Sequence, residues 1–360
     1  MFEKLKQKKQ DFKKTANMVI DCQNGVVSSI FQQLPYAMVF KTTNWCWNNC
    51  AHCCESSGSL MPKKFIPESV INGYVDQAIT DKKFSRQIVF TGGEITAAYK
   101  FAGRDYLSNI IKHALNANCA VDIKTNAGWV NSPLAKIVYS DLENIILEES
   151  KKIDTASIKT VIKFQVSLSL DRFHKDAMMR DFKFIEHFAH TNIPGVAFTI
   201  NVSSIRQDAY MFPELIKKII NSGIKVNELF LFDPNNSSVE TKYDLNGNVI
   251  ISDSTGTLFN GGRAKDIDFA YKTPFPQFVF MAPDGVSLVV FDSFGNVTLG
   301  ENSGQKISVP WSDGKNGDAL PLKTIHENLL GATKQAEQDF LNQHKKMNAY
   351  INWLRRHVVK

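Results

Sequence analysis

The chain has 360 residues, 43% hydrophobic and 22% charged, ordinary values for a globular protein with room for a large core. No apolar run approaches the ~20 residues of a membrane span, and the charged start MFEKLKQKKQDFKKT has no apolar stretch behind it, so neither a membrane span nor a secretory signal is expected. The net charge of +6 sits at the two ends: residues 1–15 carry +4 and residues 344–360 carry +5, leaving a mildly acidic body at −3.

Those basic ends read as solvated helix faces, with an acidic peptide or nucleic acid such as RNA as the alternative partner. Residues 1–34 are expected to form a basic helical extension. Strand-like runs rich in Val, Ile and Phe then recur at 36–41, 87–91, 119–125, 161–169, 195–202 and 227–232. Helical patterns lie between them at 67–80, 105–115, 133–142, 175–190 and 213–222, the first opening on Pro67 and Glu68. Six strand–helix units in a row predict an α/β fold with a parallel sheet and right-handed crossovers over about residues 35–235. Periodicity leaves open whether that sheet is flat or curled into a barrel.

After Phe232 the rhythm changes. Residues 233–266 are polar and rich in turn formers, and 278–300 read as short antiparallel strands turning at Asp284-Gly285 and Gly295-Asn296. Phe340, Met347, Ile351, Leu354 and Val358 make one apolar stripe of a terminal helix packed on the body. The expectation for 236–360 is a small α+β region.

Four of the six cysteines, Cys46, Cys50, Cys53 and Cys54, fall within nine positions, while Cys22 and Cys119 are isolated. This is not a disulfide framework, and a reducing cytoplasm is the expected compartment. Cys46, Cys50 and Cys53 form C-x3-C-x2-C directly after the first strand, at the strand end where α/β folds build their sites. Closely spaced thiolates select a soft metal, either zinc or an iron–sulfur cluster. Structural zinc needs four ligands, and His52 or Cys54, each adjacent to Cys53, would complete the set only with strain. Three thiolates suit a four-iron cluster with one iron open to a non-protein ligand. After the second strand comes FTGGEIT, in which Gly92 and Gly93 allow close backbone approach to a ligand and Glu94 offers an acceptor to an ammonium group.

With both motifs in this order, the chain resembles the radical S-adenosylmethionine (SAM) superfamily across about residues 35–232. The resemblance implies a (β/α)6 partial TIM barrel. It implies one [4Fe-4S] cluster on Cys46, Cys50 and Cys53, with SAM chelating the open iron and Gly92, Gly93 and Glu94 receiving its amino group. It further implies reductive cleavage of SAM to a 5′-deoxyadenosyl radical that abstracts a substrate hydrogen, with an electron donor such as flavodoxin or ferredoxin. His52 stands where the family has an aromatic residue near the adenine. Ser169 and Asp171 are candidates for the ribose, Arg180 for the SAM carboxylate, and Asn126 and Asn201 for polar contacts at strand ends. Cys119 reads as core. Cys54 reads as a small buried residue or, as in radical epimerases, a hydrogen donor.

GGRAKD (261–266) and the strands after it resemble the peptide-modifying SPASM/twitch branch, but residues 120–360 hold no cysteine, so its auxiliary clusters are not expected. The implied substrate is a peptide, epimerised or cross-linked in a ribosomally made precursor. The alternatives are a nucleotide, RNA or small metabolite as substrate or, from another class, a zinc-stabilised binding protein without catalysis.

Overall fold

Phe291, Phe40, Phe90, Ile123, Val166, Ile200 and Ile251 stand side by side in register across seven strands, and each is at most 1% exposed. Burial on this scale stabilises by about 1.5–3 kcal/mol per side chain, and it fixes which face of every strand looks toward the helices. The computed structural model describes residues 16–17, 19–25, 35–53, 55–153, 160–191, 196–233, 238–256, 263, 287–299, 307–312 and 318–357.

The strands are β1 (Tyr36–Thr43), β2 (Phe84–Gly92), β3 (Ala120–Thr125), β4 (Thr160–Ser169), β5 (Val196–Ile205), β6 (Val226–Asp233), β7 (Ser238–Leu245), β8 (Val249–Gly256), β9 (Ser287–Asp292), β10 (Asn296–Leu299) and β11 (Ser308–Pro310). They form one sheet in the order β11-β10-β9-β1-β2-β3-β4-β5-β8-β7-β6. The run from β9 through β1 to β5 and β8 is parallel. The sheet does not close. It is a mostly parallel, open α/β sheet, the architecture of a partial barrel. The crossover helices are α1 (Glu68–Ala78), α2 (Tyr106–Asn116), α3 (Ala135–Ser150), α4 (Ala177–His190) and α5 (Met211–Asn221). Their apolar residues, Ile71, Ile110, Leu142, Phe184 and Leu215 among them, are buried in the same core.

Because side chains alternate along a strand, the residues just beyond the apolar row turn to the other face. There Lys41 lies beside Thr91 and Asp292, and Lys124, Ser167, Asn201 and Ser252 continue the row on β3, β4, β5 and β8. One face is therefore hydrocarbon and the other polar near the strands' C-terminal ends.

The sixth parallel position differs from expectation. Residues 227–232, read as the last barrel strand, belong to β6 at the sheet's edge, and β8 takes the place beside β5. The cause is a tight hairpin: three residues, Asn246 to Asn248, join β7 to β8, Asn246 and Gly247 both with positive φ (52° and 73°) and Asn248 N–H donating to Leu245 O at 2.9 Å. Val249 and Ile251 of β8 are fully buried, whereas Phe230 of β6 is 67% exposed. Burial decides which strand sits inside.

The C-terminal region feeds the same sheet. β9 adds to β1 in parallel, then turns at Gly295 (φ 103°) into antiparallel β10, so the expected antiparallel pair is found with one parallel partner added. Asp284-Gly285 lies outside the described residues. Tyr74 Oη donates to the carbonyls of Trp311 (2.9 Å) and Leu320 (3.0 Å), tying α1 to this region. The terminal stripe is carried by two helices, α6 (Leu322–Gln343) and α7 (Lys345–His357), broken at His344. Phe340 is buried from the first and Ile351 from the second; Val358 lies outside the described residues. A helical stretch at 19–23 buries Val19 and Cys22, and Gln23 Nε2 donates to Asn352 Oδ1 of α7 at 3.0 Å. The stretch at 19–23 thus packs on the C-terminal helix, while the basic residues 1–15 lie outside the described residues. Among the described residues no helix is long and apolar enough to cross a membrane.

Candidate functional site at the cysteine loop

β1 ends at Thr43, and the chain enters a loop that closes on itself: Cys46 N–H donates to Gly58 O (3.2 Å) and Gly58 N–H to Asn44 O (3.3 Å). Cys46 is 5% exposed, and Cys50 and Cys53 are half-buried. None of the three is in a disulfide. The Cys46 thiol accepts from Asn48 N–H (3.3 Å) and Asn126 Nδ2 (3.5 Å). Burial, with Glu94 nearby, pushes the Cys46 thiol up to about 12; burial, with Asp171 nearby, pushes Cys50 up to about 11. A metal that binds such thiols displaces their protons, because the ligand is the thiolate. Cys54 lies outside the described residues. Cys119, at the opposite end of β3, is fully buried as expected, and Cys22 is 5% exposed.

The glycines of the second motif also meet a packing demand. A Cβ on Gly92 would lie 2.3 Å from Thr43 O, and one on Gly93 2.2 Å from Trp45 O. Gly92 also has φ 134°, outside the range ordinary residues adopt. Gly93 N–H donates to Thr43 O (2.6 Å) and Glu94 N–H to Trp45 O (3.0 Å). The close approach is to the backbone that opens the cysteine loop.

Glu94 is 1% exposed. Its Oε1 accepts from Thr96 N–H (3.2 Å), Thr96 Oγ1 (2.7 Å) and Thr125 Oγ1 (2.7 Å), and its Oε2 accepts from Asn126 N–H (3.0 Å). A carboxylate has about four lone-pair sites, so Oε2 keeps acceptor capacity while Oε1 is saturated. Glu94 joins the ends of β2 and β3.

Asp171, one residue beyond Leu170 at the end of β4, is brought to the same loop. Its Oδ1 accepts from the N–H groups of Phe173 (2.9 Å) and His174 (3.2 Å). Its Oδ2 lies 2.9 Å from His174 Nδ1 and 3.4 Å from His52 Nε2. Burial opposes ionisation, but the bonds from His174 and His52 outweigh it and hold this carboxyl well below the usual range. The His52 ring stacks on Phe173 (4.8 Å, 17°). The ligand atoms of His52, Asp171 and His174 lie within 4.8 Å of one another, a spacing that could also hold a cation. His52 Nδ1 is buried with no partner among the described residues, whereas an imidazole that binds a metal gives its second nitrogen to an acceptor. A hydrogen-bonded triad accounts for the three side chains.

Arg180 of α4 is 5% exposed, and its Nε and Nη2 have no hydrogen-bond partner among the described residues. A Cβ on Gly128 would meet Asn126 Oδ1 at 2.7 Å, Trp47 Nε1 at 3.1 Å and Arg180 Nη1 at 3.3 Å, so these three groups ring one small space. Trp47 Nε1 likewise has no partner among the described residues. A buried guanidinium with spare donors is a receptor for an anion. Asp181, beside it, is buried, and its oxygens have no hydrogen-bond partner among the described residues; burial pushes its carboxyl well up.

Ser169 and Asn201 lie farther along the polar face. Ser169 is half-buried beside Ser203. Asn201 Nδ2 donates to Ser203 Oγ (3.2 Å), and its Oδ1 accepts from Ser252 Oγ (3.2 Å), which makes it part of a polar lattice across β5 and β8. Sequence reasoning passed over His174, Phe173, Trp47 and Arg263 as individual residues. His174 had a local signal, three residues from Asp171, and Arg263 had one in the GGRAKD segment, whereas Phe173 and Trp47 had none.

Neither the family models nor the curated proteins contain a match to this chain. Among solved structures it is similar to SuiB of Streptococcus suis bound to S-adenosylmethionine, at 14% identity and TM-score 0.41 over 73% of this chain and 60% of that one. It is similar to SuiB bound to precursor peptide SuiA at 14% identity and TM-score 0.40, over 73% of this chain and 59% of that one. It is similar to anSMEcpe with bound AdoMet and Cp18Cys peptide at 14% identity and TM-score 0.41, over 84% of this chain and 82% of that one. The chain spans about 60% of the length of the first of these. At such distance the reading rests on this chain's own residues.

Proposed function

We propose that this chain is a radical SAM enzyme that acts on a peptide in a reducing cytoplasm. The carrying observation is convergence: the three-cysteine loop, the Glu94 turn and the orphaned donors of Arg180 meet at the C-terminal ends of parallel strands. Cys46, Cys50 and Cys53 would hold the [4Fe-4S] cluster, and the donor set fits, since three thiols supply one site fewer than four irons require. Cluster and SAM together supply one-electron chemistry that ends in removal of a hydrogen atom from a substrate C–H bond.

The protein's own residues bind and orient. Glu94 Oε2 offers its free acceptor capacity to the methionyl ammonium, from a turn that Gly92 and Gly93 press against the cysteine loop. The unpartnered Nε and Nη2 of Arg180 offer two parallel donors to the methionyl carboxylate. His52, held by Asp171 and Phe173, walls the loop on the side of the adenosine, and Ser169, Asp171, Asn126 and Asn201 supply polar edges there. The polar row beyond, from Lys41 to Ser252, suits a polar substrate such as a peptide backbone. An electron donor of the flavodoxin or ferredoxin type completes the system.

The test is anaerobic purification with reconstitution, iron and sulfide analysis, and an absorbance scan. The expected result is about four irons per chain, lost when Cys46, Cys50 and Cys53 are replaced by Ala and kept when Cys22 or Cys119 is. Release of 5′-deoxyadenosine with a candidate peptide tests the substrate class. Zinc at about one per chain with no cluster would overturn the proposal.

A further inference from the structure

We infer that Arg263 is a positioning residue that clamps the part of the cysteine loop carrying Cys50 and Cys53; in relating the clamp to a cluster, the inference rests on the function proposed above. Arg263 Nε donates to Cys50 O at 2.9 Å, its Nη2 donates to Ser57 O at 2.6 Å, and its own N–H donates to Cys53 O at 3.0 Å. One residue more than 200 positions away thus gathers three carbonyls of one loop.

The loop needs such a clamp. Among the described residues between Cys50 and Ser57, the loop's own backbone bonds are single-turn contacts, Cys53 N–H to Cys50 O and Ser56 N–H to Cys53 O, both 3.2 Å. Ser56 has φ 55°, a conformation unfavourable for a residue with a Cβ. Cys46 is held differently, by its bonds to Gly58 and Asn126 and by its place at the end of β1. The loop therefore has two halves: Cys46 is anchored by the sheet, whereas the backbone at Cys50 and Cys53 is held by Arg263, beside the side-chain contacts of His52 with Asp171 (3.4 Å) and of Glu55 with Lys41 (2.6 Å).

Only a planar fork can reach two carbonyls seven residues apart in this way; a lysine ammonium is a point donor. The guanidinium charge also stands beside thiols that must become thiolates, where a cation favours the more reduced and more negative state of whatever the thiolates hold. Fork and charge make separable contributions, and Arg263→Lys keeps only the charge.

The experiment uses the full chain, wild type against Arg263→Ala and Arg263→Lys. In the metal-free proteins, iodoacetamide labelling of each cysteine is followed by mass spectrometry. Cys50 and Cys53 should label about ten- to a hundredfold faster in both variants, the range expected for losing hydrogen bonds to a charged group. Cys46 should label near the wild-type rate, and buried Cys119 should stay protected as the report of intact folding. In the reconstituted proteins, iron should pass to a chelator faster in both variants, while the midpoint potential should fall in Arg263→Ala and hold in Arg263→Lys. Wild-type labelling of Cys50 and Cys53 in Arg263→Ala would overturn the inference. So would full protection in Arg263→Lys, which would make charge and not the fork the agent, or general labelling that includes Cys119. The labelling result stands whether or not a cluster forms, so failure of the proposed function would be seen in the iron analysis alone.

Discussion

Asn126 donates its backbone N–H to Glu94 Oε2 at 3.0 Å while its Nδ2 reaches Cys46 Sγ at 3.5 Å. The residue that follows β3 thereby fastens the Gly-Gly-Glu turn to the cysteine loop. Its Oδ1 also accepts from Gly128 N–H at 2.8 Å, which shapes the small space shared by Trp47 and Arg180. Replacing Asn126 by Ala should cost about 0.5–1.5 kcal/mol, because the half-buried Gly128 N–H loses its partner. The thiol of Cys46 should label faster in the metal-free variant while Cys50 does not. This is the mirror image of the pattern expected for Arg263, and labelling by mass spectrometry distinguishes the two.

Gly93→Ala places a methyl 2.2 Å from the Trp45 carbonyl, a backbone atom with nowhere to move. Overpacking of this kind costs about 1–3 kcal/mol, and here it separates the turn from the loop. Thermal unfolding should shift down by several degrees, with iron retention reduced. An unchanged Tm would mean that the turn does not need this contact.

Arg180→Gln removes the buried cation and leaves the cysteine loop intact. SAM affinity, read by equilibrium dialysis on the reconstituted protein, should fall about ten- to a hundredfold, with iron content unchanged. Wild-type affinity in this variant would remove Arg180 from the carboxylate site.

Asp181 carries a raised pKa, so the folded state holds a proton that the unfolded state releases. Its contribution to stability is complete below the ordinary carboxylate pKa of about 3.9 and is lost as pH rises toward the folded value. Asp181→Asn cannot ionise, so its stability relative to wild type should increase between about pH 4 and about pH 7. Urea unfolding at the two pH values measures this. A constant difference would place the ionised form of Asp181 in the folded protein.

How much of the site was legible depends on chain distance. Cys46, Cys50 and Cys53 lie within eight residues, and Gly92, Gly93 and Glu94 are consecutive, so local spacing carries their chemistry. The alternation of strands and helices was equally visible, since a buried parallel strand must be apolar on the face it turns to its helix. The hairpin that places β8 beside β5 also had a signal in Asn246-Gly247, which reading the segment as a polar loop passed over. Phe230 and its neighbours look as apolar as any inner strand. Only the competition with Val249 and Ile251 for the place beside β5 sends β6 to the edge.

By itself the sequence determined the chemistry on offer: three thiols for a soft metal, a carboxylate on a tight glycine turn, and a parallel sheet to present them. Those properties follow from residue type and short-range geometry. Tertiary structure decided which residues meet. His52 reaches Asp171 and Asn126 reaches Cys46 because strands far apart in the chain end at the same rim of the sheet, and Arg263 reaches Cys50 across more than 200 residues. Strand order and register set those meetings, and both depend on the packing of the whole core, which no local stretch of sequence encodes.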